Sequence, residues 1–442
     1  MERQEILEVL YEWQNLILQT EGIERSYEKE IITTIGSKPI KIITGFRRSG
    51  KSFLVLRILK ELIRQKSIKL ENILYLNFED LRLSEINTAK KLNKVYQIFL
   101  STVAKEGDKI IVLDEVQNIQ DWDKFVRTIY EKKSISNEIE IILTGSNSEL
   151  LSSELGSNLA GRFIEFFILP FSFSEYLRYS KLNIKSESDY NRHQDKIRSL
   201  FYEYIKYGGL PEHFSITTEK AKYSYLEGII NKVILDDIIK RFSVKNTFLI
   251  EKILYYLTSN IGNIISYSRV KEYIKNLGLE IKQDTIVNYI EYLLKSFALF
   301  EVSKFDWKSK RIFAGSKKYY SIDPGMVNLY KGLSNNFSKQ LENLVYIELK
   351  RRDEVKNIHY ASNGKEIDFI TETKKDIFNK YQICQELTNT NKDRELKAFS
   401  IVDKYLHKGE NTLITLEDYE EKLNFNGVKI NKRNLIKYLT LS

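Results

Sequence analysis

Residues 40–44, Ile-Lys-Ile-Ile-Thr, form a short apolar run that ends in Gly45-Phe46-Arg47-Arg48-Ser49-Gly50-Lys51-Ser52. A helical pattern, Phe53-Leu54-Val55-Leu56, follows at once. A buried strand that turns through a glycine-bounded loop into a helix constrains this chain more than any other stretch. Glycines at both ends let backbone N–H groups turn inward, and the start of the helix adds partial positive charge, so the loop is a cradle for phosphate. In such a cradle Lys51 bridges the β- and γ-phosphates and Ser52 ligates Mg²⁺. Gly45, Ser49, Gly50 and Phe53 belong to the same cradle. Arg47 and Arg48 lie within it and contact phosphate, contact a neighbouring element, or remain solvated.

A second signal follows downstream. Ile110-Ile111-Val112-Leu113 is apolar throughout, as a strand covered on both faces must be, and it ends in Asp114-Glu115. Acids at the carboxyl end of a central strand sit where open parallel sheets bind ligands. Asp114 is expected to hold the hydration shell of Mg²⁺, and Glu115 to polarise an attacking water. An acidic turn explains either residue alone but not both beside a phosphate loop. A third strand, Ile139-Glu140-Ile141-Ile142-Leu143, ends in Thr144-Gly145-Ser146-Asn147. Thr144 and Ser146 are candidates to touch the γ-phosphate; the same segment also reads as a cap for a helix starting at Glu149.

The remaining strands and helices follow from periodicity. Apolar runs at 40–44, 73–78, 110–113, 139–144 and 163–169 alternate with amphipathic stretches at 52–65 and 121–132, which predicts a parallel α/β sheet with helices on both faces. Beyond residue 172 the pattern turns helical, through 201–206, 223–240, 247–260, 266–277 and 284–297, with Asp284 as a cap for the last. Strand-like segments at 299–305 and 310–321 come next, and helices followed by a hairpin resemble a winged helix. The expected divisions are a helical segment at 1–35, the nucleotide core at 36–175, a helical lid at 176–245, a winged helix at 246–330 and an α/β domain at 331–442. A chain of 442 residues is long enough for two to four such domains.

Composition narrows the classes. Hydrophobic residues at 42% and charged residues at 29% describe a globular chain, and no apolar run approaches the ~20 residues of a membrane helix. Residues 1–19 mix Glu2, Arg3, Glu5 and Glu8 with Ile6, Leu7, Val9 and Leu10, an amphipathic helix rather than a signal peptide. The single cysteine, Cys384, excludes an internal disulfide, and a cytoplasmic protein with no membrane partner is expected. A net charge of +9 permits nucleic-acid binding, but richness in Lys, Ile, Asn and Tyr also fits a codon bias that raises Lys everywhere.

The ordered set of motifs resembles the AAA+/STAND branch of the P-loop ATPases. Leu159-Ala160-Gly161-Arg162, then Leu169-Pro170-Phe171-Ser172-Phe173-Ser174-Glu175-Tyr176, then Tyr207-Gly208-Gly209-Leu210-Pro211 extend that resemblance to the prokaryotic archaeal-type ATPases. The resemblance implies ATP and Mg²⁺ as cofactors, Pro211 beside the adenine, and Arg162 as an arginine finger or a structural ion pair. It also implies a C-terminal domain related to PD-(D/E)XK nucleases, with a restriction-endonuclease-like α/β fold. In that domain Glu342 on a helix and Asp368 on a strand are the candidate metal acids. The next strand should read acid-x-Lys but carries Gln382 and Cys384 instead. That departure predicts a nuclease-like fold with weak or absent cleavage.

Partners follow from the same regions. ATP and ADP are the expected ligands of the core. The hairpin carries Lys304, Lys308, Lys310, Arg311, Lys317 and Lys318 with Phe305 and Trp307 interleaved, a pattern that suits a DNA-contacting wing. The helix before it presents Glu291 and few basic residues, so a protein partner or self-assembly is the competing expectation.

Overall fold

The structure, a computed structural model, describes residues 1–136, 138–146, 159–307, 311–332, 337–362 and 365–441. The chain divides into two compact units, Met1–Leu169 and Pro170–Ser442.

The first unit is built on five strands: β1 (Ile40–Thr44), β2 (Ile73–Asn77), β3 (Lys109–Asp114), β4 (Ile139–Gly145) and β5 (Phe163–Phe167). All neighbours run parallel, in the order β2-β3-β4-β1-β5. Side chains alternate between the faces of a strand, so each strand feeds two cores. Ile42, Leu74, Leu76, Ile111 and Ile141 pack on one face with Val9 and Leu10 of the helix Arg3–Gln19 and with Val126 and Ile129 of the helix Trp122–Ser136. Ile43, Tyr75, Ile110, Val112 and Ile142 pack on the other with Leu54, Ile58 and Leu62 of the helix Lys51–Arg64. Those helix residues lie four apart, the spacing of a single buried stripe. With both faces covered, the strands read as near-continuous apolar runs, which is why periodicity located them.

The second unit begins with helices and closes on a single sheet of eight strands: β6 (Leu299–Asp306), β7 (Arg311–Ser321), β8 (Val355–Ser362), β9 (Glu366–Thr373), β10 (Phe378–Ile383), β11 (Asn411–Thr415), β12 (Glu421–Phe425) and β13 (Val428–Asn434). Their order is β12-β13-β11-β10-β9-β8-β6-β7. The β6–β7 hairpin joins the sheet through a parallel pairing of Ser303 with His359 on β8. The sheet therefore crosses the expected division at 330/331. Helices Thr247–Ser259, Tyr267–Asn276 and Gln283–Lys295 precede the hairpin, and Ile265 bridges to Lys317 on β7.

Two sequence expectations are corrected here. Asp284 is not the cap of its helix but its second residue, in the first turn, and Lys282 holds the cap position. Phe305 and Trp307 are not displayed on the hairpin surface. They are buried with Ile367, Leu396 and Phe399 in the core beneath the sheet, because β6 lies inside the sheet and not at a free wing. Lys308 and Lys310 lie outside the described residues, as do Asn147 and Glu149.

Candidate nucleotide site and the C-terminal acid cluster

The loop from Gly45 to Ser52 leaves the carboxyl end of β1, and its conformation depends on its glycines. Gly45 has φ of +150°, and a Cβ there would lie 2.2 Å from the Ile168 carbonyl oxygen. Gly50 (φ +92°) holds the N-cap of the helix Lys51–Arg64 in the left-handed region. Lys51 is buried, and its Nζ donates to the carbonyls of Gly45 at 3.1 Å and Phe46 at 3.3 Å. The Ser49 hydroxyl is buried without a hydrogen-bond partner among the described residues. A glycine-built turn at a helix start, a buried lysine and an unsatisfied buried hydroxyl are what a phosphate chain needs, so the residues present fit a nucleotide.

The acid pair lies beside the loop. Asp114, at the end of β3, is fully buried, and its carboxylate is held by hydroxyls from three elements. Tyr75 of β2 donates at 2.6 Å, Thr144 of β4 donates to the other oxygen, and Ser52 hydrogen-bonds it as well. Burial raises the Asp114 carboxyl, and the neighbouring Glu115 raises it further, while these hydroxyls work in the opposite direction. Glu115 adopts φ of +55°, a strained conformation for a non-glycine residue that concentrates at functional sites. Its N–H donates to Thr144 Oγ1 at 3.0 Å, and its carboxylate lies 3.5 Å from Lys51 Nζ. Burial works to raise the Glu115 carboxyl, but Lys51, Gln117 and Arg47 outweigh it and hold it below the usual carboxylate range. Ser52 and Asp114 together supply the oxygens that Mg²⁺ prefers.

Arg47 donates to Glu79 at 2.7 Å, and Arg48 sits at φ +64° in the loop. Phe53 is half exposed against Gly22. Thr144 donates its hydroxyl to Asp114 and accepts the Glu115 N–H. Arg162 precedes β5, where its carbonyl accepts from the N–H of Ile40, the first residue of β1. That is the end of the sheet opposite the loop, about 16 Å away along a five-residue strand. Pro211 belongs to the second unit, where it starts the turn Pro211–Ser215. The adjacent glycines have a partner of their own: a Cβ at Gly208 would fall 1.7 Å from Asp323 Oδ1, and the Gly209 N–H donates to Asp323 Oδ2 at 2.7 Å.

Three residues of the loop's surroundings escaped sequence reasoning. Tyr75 is a single hydroxyl in an apolar strand, and the break in that apolar run was its only signal. Gln117 donates to Glu115 and approaches Ser146 at 3.5 Å. Arg25 is buried and donates to the carbonyls of Ser49 at 3.1 Å and Leu169 at 2.8 Å, pinning the loop from a segment remote in sequence.

The C-terminal candidates also come together, around a residue not expected there. Lys318 of β7 is buried, with its Nζ 2.9 Å from Glu342, 2.6 Å from Glu366 and 3.7 Å from Asp368. Neither Gln382 nor Cys384 pairs with the Lys318 ammonium, and Gln382 meets the group only through the Asp368 backbone. Gln382 accepts from the Asp368 N–H at 3.3 Å and donates to Glu395 at 2.9 Å. Burial pushes the Cys384 thiol up to about 12, so it stays neutral.

A parallel sheet in this strand order, with a phosphate cradle on β1 and acids on β3, defines a P-loop domain of the AAA type. Residues 37–177 match the family model of an AAA domain, and residues 198–336 match a domain of unknown function (DUF8612). The chain is 32% identical over 418 residues to the uncharacterized protein MJ1544 of Methanocaldococcus jannaschii, covering 93% of this chain and 89% of the relative. It is 31% identical to an uncharacterized protein of Haemophilus influenzae, covering 90% and 94%. The chain belongs to the family of these two proteins. Among solved structures, the Walker-type ATPase PABY2304 of Pyrococcus abyssi aligns at 17% identity and a TM-score of 0.48, covering 70% of this chain and 95% of that one.

Proposed function

We propose that this protein binds and hydrolyses ATP with Mg²⁺ and uses the nucleotide state to reposition its C-terminal modules, as AAA+/STAND-like motors or switches do. The observation that carries the reading is the convergence of Lys51, Ser52, Asp114 and Glu115 at the carboxyl ends of β1 and β3. Ser52 and Asp114 would hold Mg²⁺, which supplies charge neutralisation for the phosphates. Lys51 exchanges its contacts with the Gly45 and Phe46 carbonyls for phosphate oxygens. Glu115, ionised at neutral pH, accepts a proton from water, and Thr144 fixes the strand end by donating to the Asp114 carboxylate and accepting the Glu115 N–H. Arg162, at the far end of its own sheet, acts on phosphate only if it is offered to a neighbouring copy of the chain.

Steady-state phosphate release tests this reading. The wild type should turn over ATP in a Mg²⁺-dependent way, and Lys51→Ala should neither bind nor hydrolyse it. Glu115→Gln should still bind ATP and lose about 10²-fold or more in rate, the usual contribution of a general base. A wild type indistinguishable from Lys51→Ala would end the proposal.

A second reading, an ATP-regulated DNA-binding protein, is favoured by one observation: three helices, the Ile265–Lys317 bridge and a hairpin follow each other in winged-helix order. Its basic face is smaller than the sequence suggests. Lys317 pairs with Glu301 at 3.0 Å, and Lys318 is buried among acids. Stimulation of the ATPase by duplex DNA, lost when Lys304 is reversed to Glu, would favour this reading over a protein partner.

A further inference from the structure

The resemblance to PD-(D/E)XK nucleases implies a divalent metal between Glu342 and Asp368, and the side chains around those acids test that implication. A divalent cation takes several oxygen ligands at about 2.0–2.6 Å. Here the space between the acids is filled by the Lys318 ammonium, which faces Glu342, Glu366 and Asp368 together. Glu342 and Asp368 also make further bonds within the fold. Glu342 receives Tyr320 Oη on the same oxygen that faces Lys318, and Lys339 Nζ at 2.6 Å on the other. Asp368 Oδ2 accepts the N–H of Ile383 at 2.9 Å. Gln382, which stands where a third acid is required, is bonded to Asp368 N–H and Glu395. Among the described residues no group of His, Cys, Asp and Glu is arranged to hold a metal ion.

We infer that Lys318 is a built-in cation that occupies the place of the divalent ion, so that the C-terminal sheet carries a closed charge cluster and performs no metal-dependent phosphodiester cleavage. A second positive charge placed against Lys318 would be repelled, and removing Lys318 would uncover three carboxylates pointing at one space. The inference is independent of the nucleotide site, because every residue in it belongs to the second unit.

Manganese titration of the nucleotide-free full-length protein, followed by calorimetry and electron paramagnetic resonance, decides it. The wild type should bind no Mn²⁺ that Asp368→Asn removes, and it should show no Mn²⁺-dependent nicking of supercoiled DNA. Lys318→Met should bind Mn²⁺ at least tenfold more tightly than the wild type, and adding Asp368→Asn should abolish the gain. Mn²⁺ binding or nicking by the wild type that disappears in Asp368→Asn would overturn the inference. So would a Lys318→Met protein of wild-type circular dichroism that gains no Mn²⁺. Should Lys318→Met fail to fold, the comparison of wild type with Asp368→Asn is sufficient alone.

Discussion

Asp114 has a wholly buried carboxylate and three hydroxyls facing it, from Tyr75, Thr144 and Ser52. Each removed donor leaves a charged oxygen less well satisfied, at a cost of about 1–3 kcal/mol. Tyr75→Phe should therefore lower stability by about that much in urea unfolding. It should also raise the Mg²⁺ concentration needed for half-maximal ATP hydrolysis, since the carboxylate it leaves is harder to keep ionised. The sequence showed Lys51, Ser52, Asp114 and Glu115 because their spacing is local to a loop and a strand end. It did not show Tyr75 or Arg25, whose roles arise only when β2 lies beside β3 and when the segment before Ser26 reaches Ser49. Lys318 was hidden for the same reason: as one of six basic residues on a hairpin it resembled a nucleic-acid contact, and only the folded unit, which brings Glu342, Glu366 and Asp368 to it, shows the acids it meets. Losing it should destabilise the second unit by about 3–5 kcal/mol, the range for stranding one side of a buried ion pair.

At the scale of elements, the strands of the first unit were readable because both faces of the sheet are covered, and their ends shifted by only a residue or two in the structure. The Gly208-Gly209-Leu210-Pro211 turn was readable as a motif but not in its physics. Asp323 caps the helix Pro324–Lys331 through the N–H of Gly325 at 2.8 Å and reaches the Gly209 N–H with its other oxygen. Gly208, at φ +88°, is the residue that leaves room for that carboxylate. Gly208→Ala should cost about 1–3 kcal/mol from overpacking alone. Asp323→Ala should cost a similar amount for each N–H it strands. The double variant should be more stable than the sum of the two losses predicts, because the added methyl then has no carboxylate to strike. Additive losses in chemical denaturation would separate Gly208 from Asp323.

For the molecule as a whole, two buried groups set opposite responses to pH. Burial pushes the Asp323 carboxyl up to about 6, against the backbone N–H groups that favour its ionised form. Between the unfolded value near 4 and that native value, the unfolded chain gives up a proton that the native chain keeps. Stability therefore falls as pH rises through this window, by about 3 kcal/mol. His213, buried beside Phe214, is driven down to about 4 by burial and by Lys222. Its contribution is complete above about 6.5 and is lost as pH falls toward 4, by a similar amount. Relative to the wild type, Asp323→Asn should gain stability from pH 4 to 6 and His213→Gln should lose it. Guanidinium unfolding at half-unit pH intervals reads both slopes, and parallel curves for all three proteins would contradict the assignment.

The β6–β7 hairpin does not end its own module but forms one margin of an eight-stranded sheet whose other margin is β12. A hairpin fixed in this way cannot swing on a hinge as a free wing does. A ligand that displaces it must either tilt the entire sheet as a plate or break the short pairing at Ser303 and His359. Signals received at the hairpin would thus travel by rigid leverage, and a fragment cut at residue 330 would expose an unpaired strand edge and leave Lys318 without its acids.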